Sequence, residues 1–159
     1  MKMFFLTGMP RAGNTLFSVI LNSNKNIKVS ANSILPDIIY YLNNLKVSSE
    51  IYNNFPDEKS LNNIVNNIFN NYYSHWNSKY IIDRGPWGTK ENLKLLKNIV
   101  KEPKFIILYR PVLECLASFI RLEKPFDIER RCVQLMDSTS EGNIIYKYYN
   151  SINHIVKTK

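Results

Sequence analysis

Residues 8–15 read Gly-Met-Pro-Arg-Ala-Gly-Asn-Thr, a glycine loop between an apolar run at 2–7 and another at 16–21. The first run predicts a strand and the second a helix, which is the setting a phosphate-binding loop requires. In the pattern G-x-x-x-x-G-K-[ST], glycines let backbone N–H groups surround phosphate oxygens, and the lysine reaches the terminal phosphates. Here Asn14 takes the place of the lysine, and a new cation, Arg11, comes three residues earlier. The loop therefore predicts a 5′-phosphate ligand shorter than ATP.

The composition is typical of one globular domain: 159 residues, of which 45% are apolar. No run approaches the length of a membrane span, and the apolar run at 3–6 is too short for a signal peptide. Cys115 and Cys132 lack metal-ligand spacing and indicate a reducing compartment. We therefore expect a single domain over 1–159, located in the cytoplasm and without a membrane partner.

The formal net charge of +8 is compatible with a nucleic-acid partner or with a small polyanionic ligand. The cations are scattered, and no dense basic stripe alternates with aromatic residues, which disfavours nucleic acid. A bias of the sequence towards Asn, Lys and Ile also accounts for much of the charge. The charge alone therefore does not identify a ligand.

Strands and helices are expected to alternate along the chain. Further strands are predicted at 27–30, 80–82 and 105–109, the last as the clearest buried strand, and helices are predicted at 36–42, 56–76, 89–100, 112–120, 128–136 and 144–156. In the long helix at 56–76 the apolar positions keep a 3/4 spacing and predict a core-facing stripe: Leu61, Ile64, Val65, Ile68, Phe69, Tyr72 and Trp76. The alternation predicts an α/β fold with a parallel sheet.

Three arginines follow predicted strands, and the carboxyl ends of parallel strands meet at one edge of a sheet. Arg11, Arg84 and Arg110 should therefore lie close together, where ligands of open α/β sheets bind. A buried cation requires an anionic partner, so the three are expected to converge on a multiply charged anion. Arg110 and Ser118, two helical turns further on, are expected to bind a second phosphate.

These residues resemble the sulfotransferases that use 3′-phosphoadenosine 5′-phosphosulfate. The loop at 8–16 is similar to the family's 5′-phosphosulfate loop, G-x-P-[RK]-S-G-T-T, in its arginine form, which protein-tyrosine and some bacterial or phage sulfotransferases have. Arg110 and Ser118 match the 3′-phosphate motif, an arginine at a strand end and a serine eight residues later. The resemblance covers residues 3–122 and implies a P-loop-containing nucleotide hydrolase-like fold with three α/β/α layers.

The resemblance also implies roles. Backbone N–H groups and the Thr15 hydroxyl would bind the 5′-phosphate, so the cofactor-binding residues are expected to be Pro10, Arg11, Ala12, Gly13, Asn14, Thr15, Arg110 and Ser118. Arg11 and Arg84 would stabilise the transferring sulfuryl group and leave adenosine 3′,5′-bisphosphate as product. No metal is implied, because arginines take the place of Mg²⁺ as the neutralising charges.

The general base is less evident in the sequence. Relatives with the arginine-type loop have Glu where this chain has Asn32, and neither His75 nor His154 follows a strand. Asp83 is the nearest carboxylate and the candidate base, although two arginines beside it should lower its pKa. Asn32 and Trp87 are expected to contact the acceptor, which is a small molecule, glycan or peptide.

The family continues past the last predicted helix with another strand and a C-terminal segment, and nothing in this chain corresponds to them. The strand at 105–109 would then lie at a sheet edge unless an oligomer or another partner completes the site. Two alternatives stay open beside the sulfotransferase: a nucleotide-binding module without catalysis, and a P-loop small-molecule kinase. The missing lysine disfavours the kinase.

Overall fold

The computed structural model describes residues 2–140 and 142–157, so residues 1, 141, 158 and 159 of the predicted domain lie outside it. The elements follow one another along the chain as β1 Lys2–Gly8, α1 Asn14–Asn22, β2 Ile27–Val29, α2 Leu35–Ser48, α3 Glu50–Asn54, α4 Glu58–Asn66, α5 Ile68–Tyr72, β3 Tyr80–Arg84, α6 Lys90–Ile99, β4 Phe105–Leu108, α7 Val112–Glu123, α8 Ile128–Met136 and α9 Ile144–Lys157. The predicted strands and most of the predicted helices are confirmed. The short helix α3 was not expected.

The four strands form one parallel sheet in the order β2-β3-β1-β4. Register pairs Phe5 of β1 with Asp83 of β3 on one side and with Phe105 of β4 on the other. Helices flank the sheet, which confirms the α/β class and is consistent with three layers. All four strands end at the same edge, where the glycine loop lies.

Alternate residues of β1 point to opposite faces of the sheet and into different apolar clusters. Phe5 packs on one face against α2, α5 and the segment after β3, with buried neighbours Leu35, Ile39, Phe69 and Trp87. Leu6 packs on the other face against α1, with Val29, Ile82, Phe17 and Leu21. A third cluster joins the loop to the C-terminal helices through Met9, Cys115, Leu135, Ile145 and Ile152. Both cysteines are free.

The long helix expected at 56–76 is wrong, because the chain leaves the helical conformation at Asn67 (φ −98°, ψ 3°) and forms α4 and α5. The side-chain amide of Asn67 donates to the carbonyl of Asn63, which competes with the backbone helix. Two positions of the predicted stripe, Ile64 and Tyr72, are exposed, whereas the other stripe positions are buried or half-buried.

The strand β4 was expected to be the clearest buried strand, and this prediction is wrong: all four of its residues are half-buried. The reason is its position, because in the described part of the chain β4 pairs only with β1. The expectation that this strand lies at a sheet edge is thereby confirmed.

A separate finding is that the described helices include none with the length and apolar character needed to cross a membrane.

Candidate functional site

The glycine loop connects the end of β1 to the start of α1 through two special glycines. Gly13 caps α1 with φ 86°, a left-handed conformation that glycine adopts without strain. Gly8 is required for a different reason, since a Cβ there would lie 2.6 Å from the carbonyl oxygen of Leu108 and 2.8 Å from Oδ1 of Asn14. Gly8 therefore allows β1, β4 and the loop to approach one another closely.

Gly8→Ala is expected to lower the free energy of unfolding by about 1–3 kcal/mol, because the added methyl group meets backbone atoms of β4 that cannot rotate away. Urea denaturation measures the change. Gly13→Ala is the control: its Cβ meets nothing within 4 Å, so only the left-handed backbone costs energy, about 1 kcal/mol. A smaller loss for Gly8→Ala than for Gly13→Ala would contradict the role given to Gly8.

Asn14, which stands where the phosphate-loop pattern has lysine, stabilises the loop by a hydrogen bond. Its Nδ2 donates to the carbonyl oxygen of Met9 at 2.9 Å, across the loop. Its Oδ1 is buried and has no hydrogen-bond partner among the described residues, and the same is true of Oγ1 of Thr7 beneath the loop. The Asn14 side chain thus closes the loop by a hydrogen bond, and two buried oxygen atoms at its base have no partner within the described residues.

Arg11 has φ 65°, which is the left-handed region for a residue other than glycine. Such a backbone costs on the order of 1 kcal/mol and is typical of functional sites. Two contacts hold it: Nε of Arg11 donates to Oγ of Ser118 at 3.0 Å, and its carbonyl oxygen accepts from Nη1 of Arg110 at 2.7 Å. The loop is therefore fixed from outside by the β4–α7 segment.

The other two arginines have different partners. Arg110 forms an ion pair with Glu114, with Nε 3.0 Å from Oε2, so it already has the anion that the sequence predicted a ligand would supply. The pair is partly exposed and is worth little in stability. Arg84 donates from Nη2 to Oγ1 of Thr15 at 3.2 Å. Within the described part of the chain, Arg84 and Arg11 have no carboxylate partner.

All three arginines line one open cavity of about 900 Å³, which we call the arginine cavity. It lies at the carboxyl ends of the strands and is lined mainly by the glycine loop, the segment 32–34 and the segment 84–86. The predicted residues that it brings together are Pro10, Arg11, Gly13, Asn14, Thr15, Asn32, Arg84, Arg110 and Ser118. The convergence of three strand ends predicted from the sequence is confirmed.

Ala12 does not line the arginine cavity. Its N–H donates to the carbonyl oxygen of Met9 at 3.2 Å, and its methyl group packs against the cluster of Met9 and Cys115. The Ala12 N–H, which was expected to bind phosphate, therefore has a backbone acceptor in this structure. The first N–H groups of α1 are different, because they have no helical acceptor and no side-chain cap.

Asp83 is not at the cavity. The strand β3 extends to Arg84, so Asp83 points to the opposite face of the sheet from Arg84 and is fully buried. It accepts hydrogen bonds from Oη of Tyr73 (2.7 Å), Nε1 of Trp87 (2.8 Å) and Oγ of Ser33 (2.9 Å). Burial raises the pKa of this carboxyl, although the three hydrogen bonds oppose the shift. The lowered pKa expected from neighbouring arginines is wrong.

Trp87 is likewise a core residue. It is fully buried, and its ring packs at 5.5 Å from Phe5 and 5.7 Å from Phe69 between ring centroids. Its indole N–H donates to Asp83. Trp87 therefore has no exposed surface for the direct contact with the acceptor substrate that was expected of it. Asp83 and Trp87 therefore support the cavity from the core. Asp83 accepts a hydrogen bond from Ser33, and Pro86 directly precedes Trp87; both Ser33 and Pro86 line the arginine cavity.

Two residues at the cavity were missed in the sequence. Asp37, in the first turn of α2, is the one carboxylate among the described residues that line the arginine cavity. Tyr148 of α9 lines it from the far side; burial raises the pKa of this phenol, and the positive charge of Arg84 opposes the shift. Asp37 lies five residues after Asn32, which was expected to contact the acceptor, whereas nothing in the sequence distinguishes Tyr148 from other tyrosines of α9.

The site is therefore an open cavity lined by three arginines and, among the described residues, one carboxylate. His75 and His154 are exposed and do not line it, and no cluster of metal-ligating residues occurs in the described part of the chain. The fold and site together define an α/β protein with an arginine-lined cavity at the carboxyl ends of a parallel sheet. A scan against protein-family models finds no match, and a search of curated proteins finds none either.

Proposed function

We propose that this chain transfers a sulfuryl group from 3′-phosphoadenosine 5′-phosphosulfate to a hydroxyl group of an acceptor. The observation that carries the proposal is the convergence of Arg11, Arg84 and Arg110 on one cavity, beside a glycine loop that lacks lysine. Two of these arginines have no carboxylate partner in the described residues, and the first turn of α1 has free N–H groups. Such a site favours an anion with several charges.

The side chains around the loop retain donors for this ligand. The hydroxyl of Thr15 accepts from Arg84 and that of Ser118 accepts from Arg11, so each still has its own O–H to donate. In the proposed complex, Thr15 and the first N–H groups of α1 bind the 5′-phosphate, and Arg110 with Ser118 binds the 3′-phosphate. The loop is accordingly assigned as a P-loop of the phosphosulfate type.

Catalysis would then depend on positioning and electrostatics. Arg11 lies between the two phosphate positions, where its guanidinium stabilises negative charge on the oxygen that leaves the sulfur. Arg84, which lines the same cavity, supplies a second cation. Both groups are held in place before the reaction by hydrogen bonds, which lowers the cost of an in-line displacement.

The proposal is tested by thermal denaturation with adenosine 3′,5′-bisphosphate and, separately, with ATP and Mg²⁺. At a concentration 100 times its Kd, a ligand stabilises the folded state by about 2.7 kcal/mol, so the preferred nucleotide raises the Tm more. We expect the bisphosphate to be preferred. A preference for ATP would support the kinase alternative and reject the sulfotransferase. Binding of the bisphosphate without sulfuryl transfer to any acceptor would indicate the non-catalytic module.

Arg110→Ala is expected to remove the discrimination between adenosine 3′,5′-bisphosphate and adenosine 5′-monophosphate. A hydrogen bond to a charged group is worth about 1.5–3 kcal/mol, so the native chain should prefer the bisphosphate by about 10- to 100-fold. Calorimetric titration of both nucleotides measures the ratio. Arg121→Ala, an exposed arginine of α7 that lines none of the cavities described, should keep it. An unchanged ratio in Arg110→Ala would place the 3′-phosphate elsewhere.

A further inference from the structure

A second cavity of about 820 Å³ adjoins the arginine cavity. The two share four lining residues and therefore form one continuous cleft: Asp37, Pro86, Ile144 and Tyr148. The second cavity extends from this junction between α2, α7 and α9. A ligand there would have one end next to the group held by Arg11 and Arg84.

The second cavity differs from the first in its charge. Among its described lining residues, Glu123 and Arg131 form an ion pair with 2.7 Å between Oε2 and Nε, which neutralises both. Asp37 and Glu91 then face a single cation, Lys147. The arginine cavity has the opposite balance: Arg110 is paired with Glu114, and Arg11 and Arg84 then face one carboxylate, Asp37. An anionic ligand is therefore favoured in the first cavity and disfavoured in the second.

Asp37 stands at the boundary between these two regions. It lines both cavities and belongs to the first turn of α2, so its position is fixed by the helix. No donor of the described residues bonds to its carboxylate, in contrast to Asp83, which is fully occupied by three donors. A free carboxylate at this position is able to accept a proton from a hydroxyl in the second cavity.

We propose that the second cavity binds the acceptor, that the acceptor is a neutral or cationic hydroxyl compound, and that Asp37 takes the proton of its reacting hydroxyl. This inference rests on the proposed sulfuryl transfer. In the step, the acceptor oxygen forms a bond to sulfur while the bond from sulfur to the 5′-phosphate oxygen breaks. The electron pair of that bond leaves with the phosphate, and the hydroxyl proton passes to the Asp37 carboxylate.

The charge preference is tested with matched acceptors that differ in one group. Tyramine is compared with 4-hydroxyphenylacetate, and glucosamine with glucuronate, each with the sulfuryl donor and the whole chain. We expect kcat/KM to favour the amine over the carboxylate of a pair by at least about tenfold, because like charges repel across a shared cavity. Preference for the carboxylate would overturn the proposal, as would absence of transfer to all four compounds while the bisphosphate binds.

The role of Asp37 is tested with Asp37→Asn, which keeps the shape of the side chain. We expect kcat to fall by about 100-fold, while the Kd for adenosine 3′,5′-bisphosphate is unchanged or lower, since a negative charge leaves the cleft. Glu129→Gln is the control, because it also removes a carboxylate from the first turn of a helix but lines none of the cavities. Full activity of Asp37→Asn would overturn the inference. Failure of the native chain to bind the bisphosphate would instead reject the proposed function itself.

Discussion

Asp83→Ala is expected to lower the free energy of unfolding by at least about 3 kcal/mol. Three donors lose their acceptor at once, two of them buried and the Ser33 hydroxyl half-buried, and each unsatisfied donor costs about 1 kcal/mol or more. For a domain of this size, 1 kcal/mol corresponds to about 2–4 °C, so the Tm should fall by about 6–12 °C. Asp83→Asn keeps the volume and one carbonyl oxygen, and it should cost less. A Tm for Asp83→Ala within about 2 °C of the native value would contradict the role assigned to this carboxylate.

The native chain and Asp83→Asn also test how stability depends on pH. The folded state raises the pKa of Asp83 above its unfolded value of 3.8, so it binds the proton more tightly than the unfolded state does. The stability that protonation contributes is therefore complete below about pH 4 and is lost as the pH rises through the folded pKa. Asp83→Asn cannot ionise. The Tm of the native chain minus that of Asp83→Asn should accordingly decrease with rising pH, and an increase would reverse the sign.

Arg11→Gly is expected to lower the rate of sulfuryl transfer by about 100- to 1,000-fold while changing the Tm by no more than a few degrees. Loss of the guanidinium removes the charge that stabilises the leaving oxygen. The backbone is not harmed, because glycine adopts φ 65° without the strain that arginine has there. The rate is measured as release of adenosine 3′,5′-bisphosphate in the presence of the four acceptors named above.

Lys124→Gly is the matched control for this variant. Lys124 is the other described residue besides glycine with a positive φ, 47°; it caps the end of α7 and lines none of the cavities, although its neighbour Glu123 lines the second cavity. The substitution removes one positive charge and one strained backbone, as Arg11→Gly does. Transfer should be unaffected in Lys124→Gly. Equal losses in the two variants would mean that the charge of the whole protein, and not the position of Arg11, governs the rate.

The sheet and the arginine cavity could be predicted because their signals are local. Each strand is a short apolar run, and each arginine ends a strand or follows it within three residues, so parallel topology brings Arg11, Arg84 and Arg110 to one edge. The boundary of β3 was the exception. Two further residues in the strand place Asp83 on the face opposite Arg84, so a small error in the end of one strand moved a carboxylate from the cavity to the core.

The residues at the cleft that were missed depend on tertiary packing. Tyr148 lies in a helix that the sequence predicted correctly, but which of its sides meets the cavity depends on the packing of α9 against α7 and α8. Trp87 shows the same limit from the other direction. A tryptophan in a Gly-Pro loop was expected to contact the acceptor, and only its packing against Phe5 and Phe69 shows that its ring is buried.

The hydrogen bond from Arg110 to the carbonyl oxygen of Arg11 connects the two ends of the cavity. A group that binds Arg110 also restrains the backbone of Arg11. A group that binds Ser118 restrains the Arg11 side chain, whose Nε donates to the Ser118 hydroxyl. The binding energies of the two ends of a nucleotide are then not additive, since whichever end binds first orders the site for the other. Under the proposed function we therefore expect the cavity to act as a single cooperative unit, in which binding at one anion position raises the affinity of the other.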